Sequence, residues 1–349
     1  MIFGAVLLVF HYIKNDKALM DWWTTEVMTP FRQWVADICE PLSITLAEFM
    51  WLIGICLLTA IVTEFIVRLA RKAWKKAAQL FMFTVDAVLV LTILAHMTWG
   101  AYYYGSSFQE KSGVYAEEAT VSDLYLLTIK FAMGANRESL LTERNDDGTI
   151  SFDVDEILDE SKTSYDAVSE IFPCLEGRDV RAKALAASEI WSYLNTTGIT
   201  FPYTGECCIN VDQPECMIPA TIEHEIAHQR GVASEQEANF LAIVSCLESS
   251  DSVYRYSGYL MGFIHLSNAL YKVNTDLWRQ AYNVLNDYAA ADIVFNNSYW
   301  SAHKTTISRA HDKAYDSYLK NYDQDMGMQS YGAVVDLLIS YYLNSGNEV

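Results

Sequence analysis

Residues 219–231 read Pro219-Ala-Thr-Ile-Glu-His-Glu-Ile-Ala-His-Gln-Arg-Gly231. Proline suits the first turn of a helix and glycine suits the position after its end, so the pattern predicts one helix over this range. Within it, His224 and His228 lie four residues apart and project from one face, where both imidazoles can bind the same metal ion. Three apolar neighbours predict that this helix is buried, namely Ile222, Ile226 and Ala227.

Glu225 follows the first histidine and lies next to the metal position on the same helix. A carboxylate there can accept a proton from an attacking water and later donate it to a leaving amine. A catalytic zinc site has three protein ligands and leaves the fourth position open, so one further ligand is needed. The His-Glu-x-x-His motif arises by chance in roughly one chain in a hundred of this length. It therefore predicts one Zn²⁺ per chain, with Glu225 as the catalytic residue.

Two acidic residues on the following segment compete as the third metal ligand. Glu237 forms a predicted capping box with the serine three residues before it, which is a purely structural reason for its presence. Glu235 has no such reason and shares its helix face with small side chains, which favours Glu235 and leaves Glu237 as the alternative. Asn239, one turn further on, either holds a ligand histidine in place or is simply solvated. Tyr331 and Tyr315 are weaker candidates for stabilising an oxyanion.

A segment shortly before the motif is predicted to be extended. Cys207, Ile209 and Val211 alternate with residues that point the other way, which is the period of a half-buried strand. In zinc peptidases an edge strand beside the metal helix pairs with the substrate backbone, and residues 205–211 are the best candidate here. Gly205, Cys207 and Ile209 are accordingly the predicted substrate-binding residues. Six cysteines lie outside the long apolar segments, and their disulfide pairing stays open.

The first 104 residues contain three apolar stretches, at about 1–13, 46–69 and 80–103. The second and third are long enough to cross a bilayer, whereas the first is either a short span or part of a longer helix. The segment Arg68–Lys76 carries five positive charges, which predicts a cytoplasmic loop and an extracytoplasmic location for everything after about residue 105. The prediction is a multi-pass protein of the cell (inner) membrane, with residues 1–104 as its anchor in the lipid bilayer and residues 105–349 as its functional domain.

The downstream region is acidic and mainly helical. Residues 1–104 carry eight basic and eight acidic side chains, so the whole net charge of −20 lies in residues 105–349. Contacts with phosphate groups need Lys and Arg, which excludes a nucleic-acid partner. Leu124, Leu127 and Phe131 recur at helical spacing, and Asn145-Asp-Asp-Gly148 is a predicted turn. The predicted fold class is therefore mainly α, with one small β element.

Three blocks of this sequence resemble a bacterial membrane family described as domain of unknown function 3810. The blocks are Phe201-Pro-Tyr-Thr-Gly-Glu206, His224–Gly231 and Glu235–Ala242. The family is similar to zinc peptidases of the Glu-ligand class, so the resemblance implies membrane spans followed by a helix-rich, zincin-like metallopeptidase domain. In that class the third ligand is the first Glu of a Glu-x-x-x-Asp pattern, which supports Glu235. Asn239 stands where that pattern has Asp.

The sequence favours a membrane-anchored zinc metallopeptidase that hydrolyses peptide bonds of an extracytoplasmic peptide or protein. One alternative is a non-catalytic membrane sensor or scaffold in which zinc is structural. Structural zinc sites usually have four protein ligands and favour Cys, whereas three ligands and an adjacent acid are found here. A second alternative is a zinc hydrolase that acts on non-peptide envelope material. An open groove beside residues 205–211 would favour a peptide, and a closed pocket would favour a small substrate.

Overall fold

The protein is mainly helical, as predicted. The computed structural model describes residues 2–42, 44–117, 119–178, 180–321, 331–344, 347 and 349. In chain order its α-helices are α1 (Ile2–Ile13), α2 (Lys17–Trp22), α3 (Thr29–Cys39), α4 (Leu46–Ala70), α5 (Trp74–Thr98), α6 (Phe108–Ser112), α7 (Val121–Ser139), α8 (Val154–Glu160), α9 (Asp166–Ile171), α10 (Ser188–Tyr193), α11 (Ile218–Gln229), α12 (Glu235–Glu248), α13 (Ser252–Val273), α14 (Thr275–Tyr282), α15 (Asp287–Ala302), α16 (Thr306–Asn321) and α17 (Tyr331–Ile339).

Helices α4 and α5 are each 25 residues long and apolar enough to cross a membrane. Helix α4 matches the second predicted span closely. Helix α5 begins at Trp74 and ends at Thr98, so the third predicted span is placed too late in the sequence. Only residues 71–73 separate the two helices, and the other positive charges of the predicted loop lie in the helix ends. Helix α1, with 12 residues, is shorter and packs against α5.

Part of the predicted membrane anchor packs against the downstream domain instead of crossing with the spans. Residues 17–39 are helical throughout, because a π-helical segment (Trp23–Met28) connects α2 to α3. Met28 of this segment forms a small apolar cluster with Trp99, Tyr102 and Ala233. The predicted boundary at residue 104 therefore cuts through a packed contact, not through a linker.

The domain core is built on α7, α13, α12 and α11, which pack against one another in that order. Two glycines allow the closest of these contacts. A Cβ added to Gly134 of α7 would lie 2.2 Å from the ring of Tyr259, and one added to Gly262 of α13 would lie 2.2 Å from the ring of Phe131. Each helix thus buries an aromatic ring against a glycine of the other, which fixes how α7 lies against α13, and α13 in turn packs against α11 and α12.

The β element is a sheet of three short strands, β1 (Lys183–Ala184), β2 (Gly198–Thr200) and β3 (Cys207–Ile209). Their order is β1-β3-β2, with β3 parallel to β1 and antiparallel to β2. The prediction of a half-buried edge strand at residues 205–211 was therefore wrong. Strand β3 is central, and both its faces are buried. Cys207 and Ile209 belong to the main core, whereas Cys208 packs against Ala47 in the first turn of α4.

All seven cysteines are free thiols, and five of them are buried. Cys207 and Cys208 are not bridged to each other, in agreement with their opposite orientations on β3. Burial raises the pKa of the Cys207 thiol, and the Glu225 carboxylate adds to this effect. Neutral buried thiols of this kind act as small apolar side chains of the core.

Candidate metal centre

Helix α11 carries the His-Glu-x-x-His motif and is buried along almost its whole length. Pro219 lies in its first turn, as predicted. Gly231 follows its end with a φ of 93°, in the left-handed region that favours glycine. A Cβ at Gly231 would also lie 2.7 Å from the ring of Tyr102. This tight turn reverses the chain, so that α12 begins at Glu235 beside the last turn of α11.

Three potential metal ligands meet between these two helices. The Nε2 atoms of His224 and His228 are 3.0 Å apart. Glu235 Oε2 lies 3.3 Å from His224 Nε2, and Glu235 Oε1 lies 3.6 Å from His228 Nε2. One ligand atom from each of the three residues falls within 4.8 Å of the others. The structure thus brings together the three residues that the sequence predicts as metal ligands.

Contacts outside the ligand cluster fix the orientation of His228. Its Nδ1 lies 2.6 Å from the carbonyl oxygen of Val232, so Nε2 is the nitrogen that faces the cluster. The indole of Trp99 contacts the same imidazole edge to face, with ring centroids 5.5 Å apart. Because a backbone carbonyl already occupies Nδ1 of His228, Asn239 is not needed to orient this histidine, and a role of Asn239 toward His224 stays a prediction.

Glu225 is buried between α11 and the sheet. The Thr200 hydroxyl of β2 lies 2.8 Å from the carboxylate and 2.6 Å from the Glu225 carbonyl oxygen. Gly198 lies so close that an added Cβ would be 2.8 Å from Glu225 Cγ and Oε1. Burial raises the pKa of Glu225, and the nearby charges of His224 and His228 offset part of that rise. A carboxylate with a raised pKa is suited to accept and return a proton.

The electrostatics of the His224, His228 and Glu235 cluster favour a positive charge. Burial alone would raise the pKa of Glu235, but His228 and His224 hold it well below its usual range. Burial likewise opposes a charge on His228, yet Glu235 and Glu225 raise the pKa of His228 to about 9. A buried site that favours a cation on two imidazoles and a carboxylate is a site where a metal ion can replace the protons.

Glu237 has a different partner from the one predicted. The Ser234 side chain makes no capping hydrogen bond to α12, so the predicted capping box is wrong. Instead the buried Glu237 carboxylate accepts hydrogen bonds from the backbone N–H groups of Phe108 (3.0 Å) and Gln109 (3.2 Å) at the start of α6. Glu237 thus ties α12 to α6, and it points away from the two histidines because it is engaged there.

A family model described as "Protein of unknown function (DUF3810)" matches residues 23–339 of this chain. The chain belongs to the DUF3810 family. No curated protein and no solved structure matches it. The DUF3810 match begins within the helical segment before α3, includes both long apolar helices, and extends through α11 and α12 to the end of α17.

The DUF3810 chain offers a different sheet edge from the one predicted. Gly205, Cys207 and Ile209 do not face an open groove. The Gly205 carbonyl oxygen accepts a hydrogen bond from the Gln229 side chain at 2.7 Å, and the other two residues lie in the central strand. Strand β2 is an outer strand of this sheet and lies next to Glu225. A cavity of about 70 Å³ nearby is lined by Tyr102 and Glu237, among others, and by none of the three ligands.

Tyr315 is the tyrosine that the DUF3810 structure places at the site. Its hydroxyl donates a hydrogen bond to Glu235 Oε1 at 2.5 Å. The side chain of Tyr331, the other candidate, lies outside the described part of the structure. Tyr315 comes from α16, 80 residues after Glu235, and its role as an oxyanion stabiliser stays a prediction.

Sequence reasoning missed three neighbours of the candidate metal centre in this DUF3810 protein. Thr200, Trp99 and His265 each come from a different element, β2, the end of α5 and α13. Burial and the charge of His224 lower the pKa of His265 to about 4, so this imidazole is neutral near the site. None of the three belongs to a local motif, and only the fold brings them to the histidines.

Proposed function

We propose that this protein is a membrane-anchored zinc metallopeptidase. The observation that carries the proposal is the convergence of His224, His228 and Glu235 from two helices, with Glu225 held beside them against an outer strand. Three ligands next to an acid that can transfer protons favour a catalytic site over a structural one. The two long apolar helices are compatible with a bilayer anchor. We further propose that the positive charges at residues 68–76 lie in the cytoplasm and the metal centre outside it.

The donor set fits Zn²⁺ in both chemistry and spacing. Imidazole nitrogens and one carboxylate are usual ligands of catalytic zinc. Two ligand atoms at the usual bond lengths of a tetrahedral zinc site lie about 3.4 Å apart. The two imidazole nitrogens are 3.0 Å apart, and the nearest Glu235 oxygen to each lies at 3.3 Å and 3.6 Å, all close to that value. His224, His228 and Glu235 would hold the ion, which supplies a Lewis acid that polarises a peptide carbonyl and promotes attack by water.

The protein residues around the site have separate parts in the proposed reaction. Glu225 accepts the proton of the attacking water and returns it to the leaving amine, and Thr200 keeps its carboxylate in place. Tyr315 keeps the Glu235 carboxylate turned toward the histidines. Strand β2 offers backbone groups to an extended peptide on its free side, so that the scissile bond lies beside Glu225.

The test combines metal content with hydrolysis for detergent-purified, full-length protein. We expect about one zinc per chain in the wild type, as a three-ligand site requires, and none in His228→Ala. Glu225→Gln should keep the zinc and lose at least about 100-fold in the hydrolysis of a casein or a quenched peptide mixture, because its base is removed. Zinc-free wild type after reconstitution, or unchanged hydrolysis by Glu225→Gln, would contradict the proposal.

A further inference from the structure

Helix α3 has two contrasting faces. Arg32, Gln33 and Cys39 are buried on one side. On the other side Phe31, Trp34 and Ile38 form an apolar stripe, with 44%, 58% and 56% of each residue exposed. A spacing of three and four residues places these three side chains on a single line along the helix. The α3 stripe is thus an exposed apolar surface on a helix whose orientation is fixed by its buried side.

The α3 stripe lies where both long apolar helices end. Helix α4 begins a short loop after α3, and Leu42 and Ile44 in that loop are also exposed. The indole N–H of Trp23, just before α3, donates a hydrogen bond to the Met97 carbonyl oxygen at 2.8 Å, in the last turn of α5. If α4 and α5 cross a bilayer, α3 lies at the membrane face where both emerge.

A second contact places the sheet near the same end of α5 as the α3 stripe. The Tyr203 hydroxyl, in the turn between β2 and β3, lies 3.4 Å from the Leu91 carbonyl oxygen of α5. Leu91 precedes the end of α5 at Thr98 by about 10 Å along the helix axis. The turn that follows the outer strand therefore reaches below the end of the span. This contact is independent of α3 and places the candidate substrate strand near the lipid surface.

We infer that α3 lies in the membrane interface with its apolar stripe in lipid, and that the metal centre acts on peptide segments close to the bilayer surface. An amphipathic helix with Trp and Phe on its apolar face is suited to this position. The stripe continues the apolar surface of the spans, which favours lipid over a second copy of the chain as its partner. This inference rests on the proposed peptidase function for the substrate class but not for the position of α3.

The distance from lipid to metal ligands follows from the contacts behind α3. The Arg32 guanidinium on its buried side lies 4.9 Å from the centre of the Trp99 ring. Trp99 in turn contacts His228. One helix, about 10 Å in diameter with its side chains, and one indole ring thus separate the stripe from the ligands. A peptide bond that lies only a few residues from the substrate's own lipid anchor can therefore reach the site.

The position of α3 can be measured with nitroxide labels on full-length protein in liposomes of phosphatidylcholine and phosphatidylglycerol. A Cys56→Ser, Cys174→Ser background removes the two exposed thiols and leaves five buried ones. Labels at Trp34→Cys and Ile38→Cys should collide several-fold more with oxygen than with a water-soluble nickel complex. A label at Leu140→Cys, an apolar residue that is 68% exposed at the end of α7, should show the reverse. Nickel access equal to that at position 140 would overturn the inference, as would spin coupling between two copies.

The substrate class can be measured with a quenched peptide that the wild type cleaves, attached to a lipid anchor through spacers of different length. A spacer of about four residues, roughly 14 Å when extended, should allow cleavage within about twofold of the rate with a spacer of about twenty residues. Trp34→Glu should lower the short-spacer rate selectively, and Leu140→Glu should not. Cleavage with the long spacer alone would overturn the substrate class and leave the peptidase proposal intact. Absence of all cleavage would contradict the peptidase proposal, while the labels still locate α3.

Discussion

Glu235 and Glu237 are only two residues apart, but their carboxylates have different partners. Glu235 faces two imidazoles and accepts a hydrogen bond from Tyr315. Glu237 accepts two backbone hydrogen bonds from α6. Two acidic side chains in the first turn of α12 thus face different elements, and the α6 partner of Glu237 is not visible in the local sequence.

The pair provides a matched experiment. Glu235→Gln should reduce zinc affinity at least about tenfold, because a neutral amide replaces the ligand carboxylate. Glu237→Gln should keep full zinc content and lose about 1 kcal/mol of unfolding free energy, because the amide oxygen accepts the same hydrogen bonds less strongly. Zinc analysis and chemical denaturation of both variants provide the comparison. Loss of zinc in Glu237→Gln but not in Glu235→Gln would show that Glu237, and not Glu235, is the third ligand.

At the scale of elements, the site depends on the closeness of β2 to α11. Gly198 leaves room for the Glu225 side chain, and a Cβ there would also lie 3.0 Å from Thr221 Cγ2. Gly198→Ala should push the carboxylate away and lower hydrolysis at least about tenfold, which corresponds to about 1.4 kcal/mol in the barrier, with zinc content unchanged. Gly332→Ala, where a Cβ meets nothing within 4 Å, is the control. Wild-type rates in Gly198→Ala would show that Glu225 does not work from this position.

At the scale of the molecule, a metal shared by α11 and α12 should stabilise the whole domain, because these helices pack into its core. At a free zinc concentration about 100 times the dissociation constant, binding adds about 2.7 kcal/mol to the unfolding free energy. Chelation should therefore lower the melting temperature by about 5–10 °C. The double variant His224→Ala, His228→Ala should show no response to chelator. An identical melting temperature with and without chelator in the wild type would argue against a bound metal.

The sequence was informative wherever a function depends on local spacing. The positions of His224 and His228 follow from helical periodicity, and the short turn after Gly231 makes Glu235 the near acid. Other features depend on contacts between distant segments. Strand β3 could not be recognised as central, because its partner β1 is a two-residue strand without a pattern of its own. The burial of α3 was missed for the same reason, because its Arg32 side chain packs on the rings of Trp99 and Tyr102, far along the sequence.

Residues 17–45 are part of the packed domain, and this limits how the long apolar helix that follows them could be exchanged or lost. Arg32 is fully buried against Trp99 and Tyr102. The buried Lys183–Glu206 ion pair, 2.9 Å long, also binds the end of α3 and the start of α4 through the Cys39 carbonyl and the Leu46 N–H. A tether joined only by a linker can be exchanged for another anchor or lost. Here such an exchange would take Arg32 away from the rings of Trp99 and Tyr102 and would remove two backbone partners of the Lys183–Glu206 pair. A form of the downstream domain without this segment would therefore need new residues at each of these positions.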